Sequence, residues 1–310
     1  MMIKKIKLII LVFLGLLLNM SMCIEQEDNI ILGDNHKTTG EFNDSLFMAS
    51  DYNLKFKFSM ESGLEENSGM VYSNDLFWVI NDGGNGNVLY GLDPGTGSIR
   101  KHFVIENAKN TDWEDIAQDE NNIYIGDIGN NTGKRQDLTI YKVSKAELED
   151  SGDTLTAGII QFYYEDQESF IPTYRNTPFD CEAMISAGDS LYIYTKDWEN
   201  NKTALYKIPK TEGEHVAVKI SESDVNCLIT GADYDEEREL LLLIGYYEYM
   251  PVIFLSKGSY NLKDSQGTIR HVFSESLGAQ TEGIAVINDS VYITCEKSIV
   301  SASAYILELE

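Results

Sequence analysis

Apolar residues gather along the chain in runs of four to seven, each closed by Gly, Asn or Asp, and past the N-terminus no long stretch keeps a helical spacing. Such runs predict β-strands. One set reads LFWVIN (76–81), NIYIGD (122–127), SLYIYT (190–195), LLLLIG (240–245) and SVYITC (290–295). A second set begins 12 to 17 residues after each first start: VLYGLD (88–93), TIYKVS (139–144), ALYKIP (204–209), VIFLSK (252–257) and AYILEL (304–309). Five copies of a two-strand pattern mark an internal repeat.

A shared anchor lies ten residues before the third position of each first-set strand, eleven in the fourth unit. The anchors are Ser68, Glu114, Glu182, Gly231 and Glu282, separated by 46, 68, 49 and 51 residues, the long interval being absorbed around 165–176. A further β segment precedes most anchors; SIRKHFVI (98–105) and TIRHVFS (268–274) are visibly related, AGIIQFYY (157–164) and HVAVKIS (215–221) more loosely. Each unit is thus four strands in about fifty residues, the content of a propeller blade. The last unit ends after its third strand, and NLKFKFSM (53–60) stands where a fourth belongs. Pairing the two would close the ring and remove its open edges. The expected fold is an all-β propeller of five four-stranded blades; six would require a split of the long interval, which lacks a sixth anchor.

This topology turns sequence into geometry. An anchor opens the innermost strand, and the hairpin between strands two and three returns to the same rim. Side chains two apart share a face, so Asp112/Glu114, Asp180/Glu182, Gln280/Glu282 and Glu66/Ser68 become equivalent positions around the axis. The returning loops add Asn81 and Asp82, Asp127, Asn130 and Asn131, then Lys196, Asp197 and Trp198, and finally Glu296. In the fourth unit Gly231 replaces the carboxylate and Tyr246 follows, an asymmetry that offers a ligand an entry. Clustered carboxylates repel unless protonated, paired or bridged by a cation. Oxygen ligands suit hard cations, so Glu66, Glu114, Glu182 and Glu282 are candidate ligands of Ca²⁺, with Mg²⁺ the alternative. Asn81, Asp82, Asp112, Asp127, Asn130, Arg135, Asp180, Lys196, Asp197 and Trp198 are candidate ligand-binding residues. Taken singly, the loop Asp and Asn residues are also ordinary turn formers, and Arg135 either holds an anionic group or pairs with the acids.

The segments WVINDGGNGNVLYGLD, TDWEDIA, IYIGDIGNN, DCEAMI and TEGIAV resemble a group of secreted bacterial propeller proteins without an assigned reaction. Over about residues 50–310 the chain is more distantly similar to the SdiA-regulated and esterase-like phytase propellers, and to the gluconolactonase propellers. The resemblance implies a propeller whose axial acids bind calcium, and it brings no catalytic set. Ser68 and Gly231 depart from a complete acidic ring.

The N-terminus changes the compartment. Residues 1–22, MMIKKIKLIILVFLGLLLNMSM, read as a signal segment. Cys23 follows in a lipobox-like context, so a lipid-attached tether over 23–50 and one propeller domain over 51–310 are expected, in an exported protein of the bacterial cell envelope. Loss of the three lysines at 4, 5 and 7 leaves 21 basic residues against 50 acidic, a balance of −29. That excludes nucleic acid and docking on anionic headgroups, leaving the lipid anchor as the membrane link and a monomer that takes a small molecule or carbohydrate. Cys181, Cys227 and Cys295 lack close zinc spacing and read as small buried residues. The four histidines lie away from the acidic rim, and no G-x-S-x-G elbow or P-loop occurs. Two functions stay open: a binding propeller with a cation and ligand at an acidic funnel, or a metal-dependent hydrolase of a phosphoester, lactone or sugar ester there.

Overall fold

The computed structural model describes residues 54–149, 152–273 and 278–309. The expected signal segment, the tether and Cys23 lie outside the described residues. Among those described, helix is limited to two short 3₁₀ turns, Lys145–Glu149 and Leu262–Asp264; the rest is strand and loop.

The strands run in chain order as antiparallel arrays. β2 to β5 (Asn67–Ser73, Leu76–Asn81, Val88–Leu92, Ile99–Ile105) form the first, and the two-residue β9 (Thr154–Leu155) adds in parallel to its outer edge. β6, β7, β8 and β10 (Trp113–Gln118, Asn122–Asp127, Leu138–Ser144, Gly158–Tyr164) form the next, followed by β11 to β14 (Cys181–Ala187, Ser190–Thr195, Lys202–Pro209, Gly213–Asp224). β15 to β18 (Leu228–Asp235, Leu240–Tyr247, Met250–Lys257, Gly267–Val272) come after them. The last array takes β19 to β21 (Gln280–Ile287, Ser290–Glu296, Ser303–Glu308) from the C-terminus and β1 (Lys55–Ser59) from the N-terminus. β1 pairs antiparallel with β21 from Lys55↔Ile306 to Ser59↔Ser303, so the first strand and the last share one sheet as their sequences suggest. The parallel pairing of β10 with β14, from Ile160↔Gly213 to Tyr164↔Ala217, was not foreseen. It fuses two arrays into one sheet of eight strands.

The first strands of the arrays stand side by side: β2 against β6, β6 against β11, β11 against β15, β15 against β19, and β19 back against β2. This is the construction of a β-propeller. Apolar cores fill the space between neighbouring arrays; Trp78, Phe103, Trp113 and Tyr141 pack between the first two, and Phe58, Met70, Phe77 and Ala304 between last and first. The runs are apolar throughout because their strands are covered on both faces. Each fully buried residue such as Phe77 contributes about 1.5–3 kcal/mol.

Each first strand carries a register shift near its start. Glu114, Glu182, Thr230 and Glu282 are the unpaired residues in β6, β11, β15 and β19, and the shift in β2 falls between Ser68 and Met70. A β-bulge bends its strand and re-aims a side chain. The bulged residue in the fourth array is therefore Thr230, not Gly231, which puts it twelve residues before Leu242. Gly231 has another reason to lack a side chain, since a Cβ there would stand 2.4 Å from the Glu282 carbonyl oxygen.

Candidate functional site

The bulges deliver their glutamates to one small chamber of about 90 Å³, lined by Glu114, Glu182 and Glu282 together with Ser68, Asp82, Asn131, Arg175, Lys196, Trp198, Tyr246, Gln280 and Glu296. The two hydroxyl anchors turn to the neighbouring backbone instead. Ser68 Oγ donates to the Glu114 carbonyl, and Thr230 Oγ1 to that of Thr281. Three acids and two hydroxyls thus share one register.

Lys196 is the buried cation of this chamber. Its Nζ pairs with Glu182 Oε2 and lies 4.5 Å from the centre of the Trp198 ring and 5.2 Å from that of Tyr246. Burial acts against the ammonium, but Glu182, Tyr246 and Glu282 outweigh it and hold its pKa above the ordinary value. Trp198 is fixed from below, its Nε1 donating to Asp180 Oδ2 at 2.6 Å, while Asp180 Oδ1 accepts from the Asn130 amide at 2.6 Å.

On the other side, carboxylate oxygens of Asp82, Asp112 and Glu114 lie within 4.8 Å of one another. Of the adjacent cations, Lys196 pairs with Glu182 and Arg135 with Asp127 at 2.8 Å. Gly129 lets these acids approach the loop, for a Cβ on it would stand 2.2 Å from Glu114 Oε1 and 2.5 Å from Asp112 Oδ2. Burial and then the charges of Glu182, Asp82 and Asp112 push Glu114 well above the usual carboxylate range. Burial followed by Asp82 and Asp180 raises Asp112 to about 6. Burial also raises Asp82, Glu282 to about 8 and Glu296 to about 7, with Lys196 pulling the other way. The chamber therefore gathers five carboxyl groups, Asp82, Glu114, Glu182, Glu282 and Glu296, against two cations, Lys196 and Arg175, and exchanges protons near neutrality.

The sequence-predicted residues divide. Glu114, Glu182, Glu282, Asp82, Lys196 and Trp198 meet in the chamber, with Asp112 joined to Glu114 and Asp82. Glu66 is exposed and accepts from Asn85 Nδ2 at 2.8 Å, outside the lining. Asn81, Asp127, Asn130, Arg135, Asp180 and Asp197 brace loops. Arg135 binds Asp127, Asp137 and the Gly129 carbonyl; Asn81 Nδ2 donates to the Gly63 carbonyl at 2.7 Å; Asp197 Oδ1 caps the amides of Glu199 and Asn200. Arg175 had no sequence signal beyond the long second interval. That interval folds over the 130–133 loop, its Arg175 amide donating to the Asn131 carbonyl at 2.9 Å. The Arg175 guanidinium then sits 4.5 Å from the Trp198 ring centre at the chamber wall.

No protein-family model and no curated protein matches this chain. The resemblance to SdiA-regulated and esterase-like phytase propellers thus rests on the quoted motifs. Among solved structures, hydrazine synthase of Kuenenia stuttgartiensis is similar at 10% identity and a TM-score of 0.39, over 81% of this chain and 65% of that one. A Bacteroides uniformis protein bearing the name 6-phosphogluconolactonase is similar at 11% identity and a TM-score of 0.40, over 78% and 67%. BamB of Moraxella catarrhalis is similar at 11% identity and a TM-score of 0.28, over 78% and 69%. The chain thus spans less than two thirds of the first of these. Likeness of this extent carries nothing about activity, and the fold stands on the strand pairing of the chain itself.

Proposed function

We propose that this chain is a five-bladed propeller of the bacterial cell envelope, exported and tethered through a lipid on Cys23. It holds one Ca²⁺ at Asp82, Asp112 and Glu114 and takes a small molecule or carbohydrate at the acidic chamber. The observation that carries this reading is the carboxylate trio within 4.8 Å, beside Lys196 and Arg135, which are paired with Glu182 and Asp127. Calcium binds oxygens at about 2.3–2.6 Å, so opposite ligands stand up to about 5 Å apart, and a trio within 4.8 Å fits its shell. Glu182 serves Lys196 rather than the cation, and Glu282 remains for the ligand.

Glu296 favours a second reading. It titrates at about 7 on the wall of the same chamber, where a general base is most effective. A cation that polarises an ester or phosphoryl oxygen would make the site a hydrolase of a phosphoester, lactone or sugar ester. Under that reading Glu296→Gln abolishes turnover and leaves cation binding intact.

Thermal melting of the mature protein against Ca²⁺ and Mg²⁺ tests the first reading. Calcium at millimolar concentration should raise Tm more than magnesium, and Asp112→Asn should remove the rise. A Tm indifferent to both cations would sink the metal site. A panel of p-nitrophenyl phosphate, a simple lactone and an acetylated sugar, with and without Ca²⁺, decides between binding and hydrolysis.

A further inference from the structure

Beside the acidic chamber lies a larger cavity of the opposite character. It measures about 260 Å³ and is walled by Tyr246, Tyr249, Gly278, Ala279, Ser298 and Ile299. Tyr246 and Gln280 line both spaces, so polar chamber and apolar cavity adjoin across two side chains. The cavity lies where the acid ring is broken, since the fourth array supplies Thr230 and Tyr246 in place of carboxylates.

Its wall is built from three loops tied together. The Gly278 amide donates to the Tyr249 carbonyl at 2.8 Å, and Ser298 Oγ donates to the Gly278 carbonyl. Tyr249 and its neighbour Glu248 both sit at positive φ, +65° and +50°, in the β16–β17 hairpin. That turn accepts positive φ most readily from Gly, Asn or Asp, so a tyrosine there is costly. Tyr249 and Ile299 are 75% and 83% exposed, two large apolar groups left at the mouth of one cavity.

The charge left over in the chamber says what enters. Lys196 is matched to Glu182, and under the reading above a cation matches Asp82, Asp112 and Glu114. Among the described residues Glu282 and Glu296 form no ion pair; Arg175, the other cation on the wall, lies over Trp198, and Gln280 Nε2 donates to Glu282 Oε1 at 3.0 Å. We infer that the paired cavities bind a small organic ammonium ion with an apolar body, its charged head at Glu282 and Glu296 and its body between Tyr246, Tyr249 and Ile299. This deepens the ligand half of the proposed function and rests on the acidic chamber being a ligand site. Lys196 already shows an ammonium held in this chamber between a carboxylate and two rings, an arrangement worth about 0.5–2 kcal/mol per cation–π contact.

The test is calorimetric titration of the full chain with 2-phenylethylamine, compared with 2-phenylethanol (body without charge) and ethylamine (charge without body). The amine with its ring should bind at least about tenfold more tightly than either half alone. Ser298→Trp, a substitution at an exposed position that fills the apolar cavity, should weaken 2-phenylethylamine and leave ethylamine unchanged. Glu282→Gln should weaken both amines and leave the alcohol unchanged. Equal affinity for alcohol and amine, equal affinity for both amines, indifference to Ser298→Trp, or no binding at about 10 mM would each overturn the inference. Asp112→Asn separates this result from the metal reading: it should abolish the calcium response and preserve amine binding made in EDTA.

Discussion

Glu114 and Asp115 are adjacent in sequence, both buried, and opposite in circumstance. Asp115 is 1% exposed and receives three backbone amides, from Ile116 at 2.8 Å, Met184 at 2.7 Å and Ala232 at 3.3 Å. Those donors lie on β6, β11 and β15, so one carboxylate ties three inner strands together. Asp233 does the same on a smaller scale, accepting from Val286 at 2.8 Å and Tyr234 at 2.8 Å. Glu114, one bulge away, meets Glu182, Asp82 and Asp112, and every one of these raises its pKa. Burial alone therefore does not mark a ligand site. A buried acid that the backbone already satisfies belongs to the fold, whereas one facing other acids is left with a charge for something else to neutralise.

Asp115→Ala is the sharpest way to break that comparison. It orphans three buried amides at about 1–3 kcal/mol each, so the loss should be about 3–9 kcal/mol by urea unfolding. Glu114→Gln, in calcium-free buffer at the same pH, should be neutral or stabilising because it removes a repelled charge. Equal losses in the two variants would mean that the distinction is false. Next in size is Lys196→Met, which leaves Glu182 buried and unpaired at a cost of about 3–5 kcal/mol. That cost should grow as pH rises and Glu182 ionises, and shrink as pH falls and it takes up a proton; a loss independent of pH would assign Lys196 to packing.

The architecture was legible in the chain because strand runs and anchors recur at nearly fixed spacing, and a repeat is visible without knowing any contact. The pairing of β1 with β21 followed from counting, since an incomplete unit at one end needs its complement at the other. The site was legible only in part. Register placed Glu114, Glu182 and Glu282 together, but two residues of equal composition on the same rim, such as Asp82 and Asp197, differ in how the loop caps them: Asp82 Oδ1 accepts the Gly83 amide alone, Asp197 Oδ1 those of Glu199 and Asn200. That depends on loop conformation, which Asp and Asn permit in several forms. Glu66 was placed by analogy with its neighbours, yet the shift in β2 falls one residue later than in the others, and its side chain ends in solvent. Arg175 reached the wall through an insertion without periodicity, and the β10–β14 pairing depends on a β14 of twelve residues. Neither leaves a pattern in the chain.

Of intermediate size is the effect of the cation on the two acids. With Ca²⁺ at a hundred times its Kd, a single site should add about 2.7 kcal/mol to the stability of the folded chain. Glu114→Gln should forfeit most of that gain. Asp233→Asn, altered at the backbone-satisfied position, should lower stability with and without calcium by the same amount and so keep the increment. A calcium increment that falls equally in both variants would show the cation stabilising the ring in general rather than binding at the trio.

The smallest effect, and the one that tests the electrostatics alone, is the pH dependence of the calcium-free protein. Glu282 and Glu296 titrate at about 8 and about 7 in the folded chain, raised chiefly by burial. In the unfolded chain both return to about 4.3. Between those limits the folded state binds more protons than the unfolded one, so stability falls as pH rises, and the loss is complete above about 8. Tm should therefore drop from pH 6 to pH 9, opposite to a protein whose carboxylates are held ionised by salt bridges. Glu282→Gln should flatten the curve and raise Tm at pH 9 by about 2–4 °C. Calcium should flatten the wild-type curve as well, because a divalent charge in the same chamber favours the ionised acids. A Tm that climbs from pH 6 to pH 9 in calcium-free buffer would mean that these acids are already neutralised within the fold.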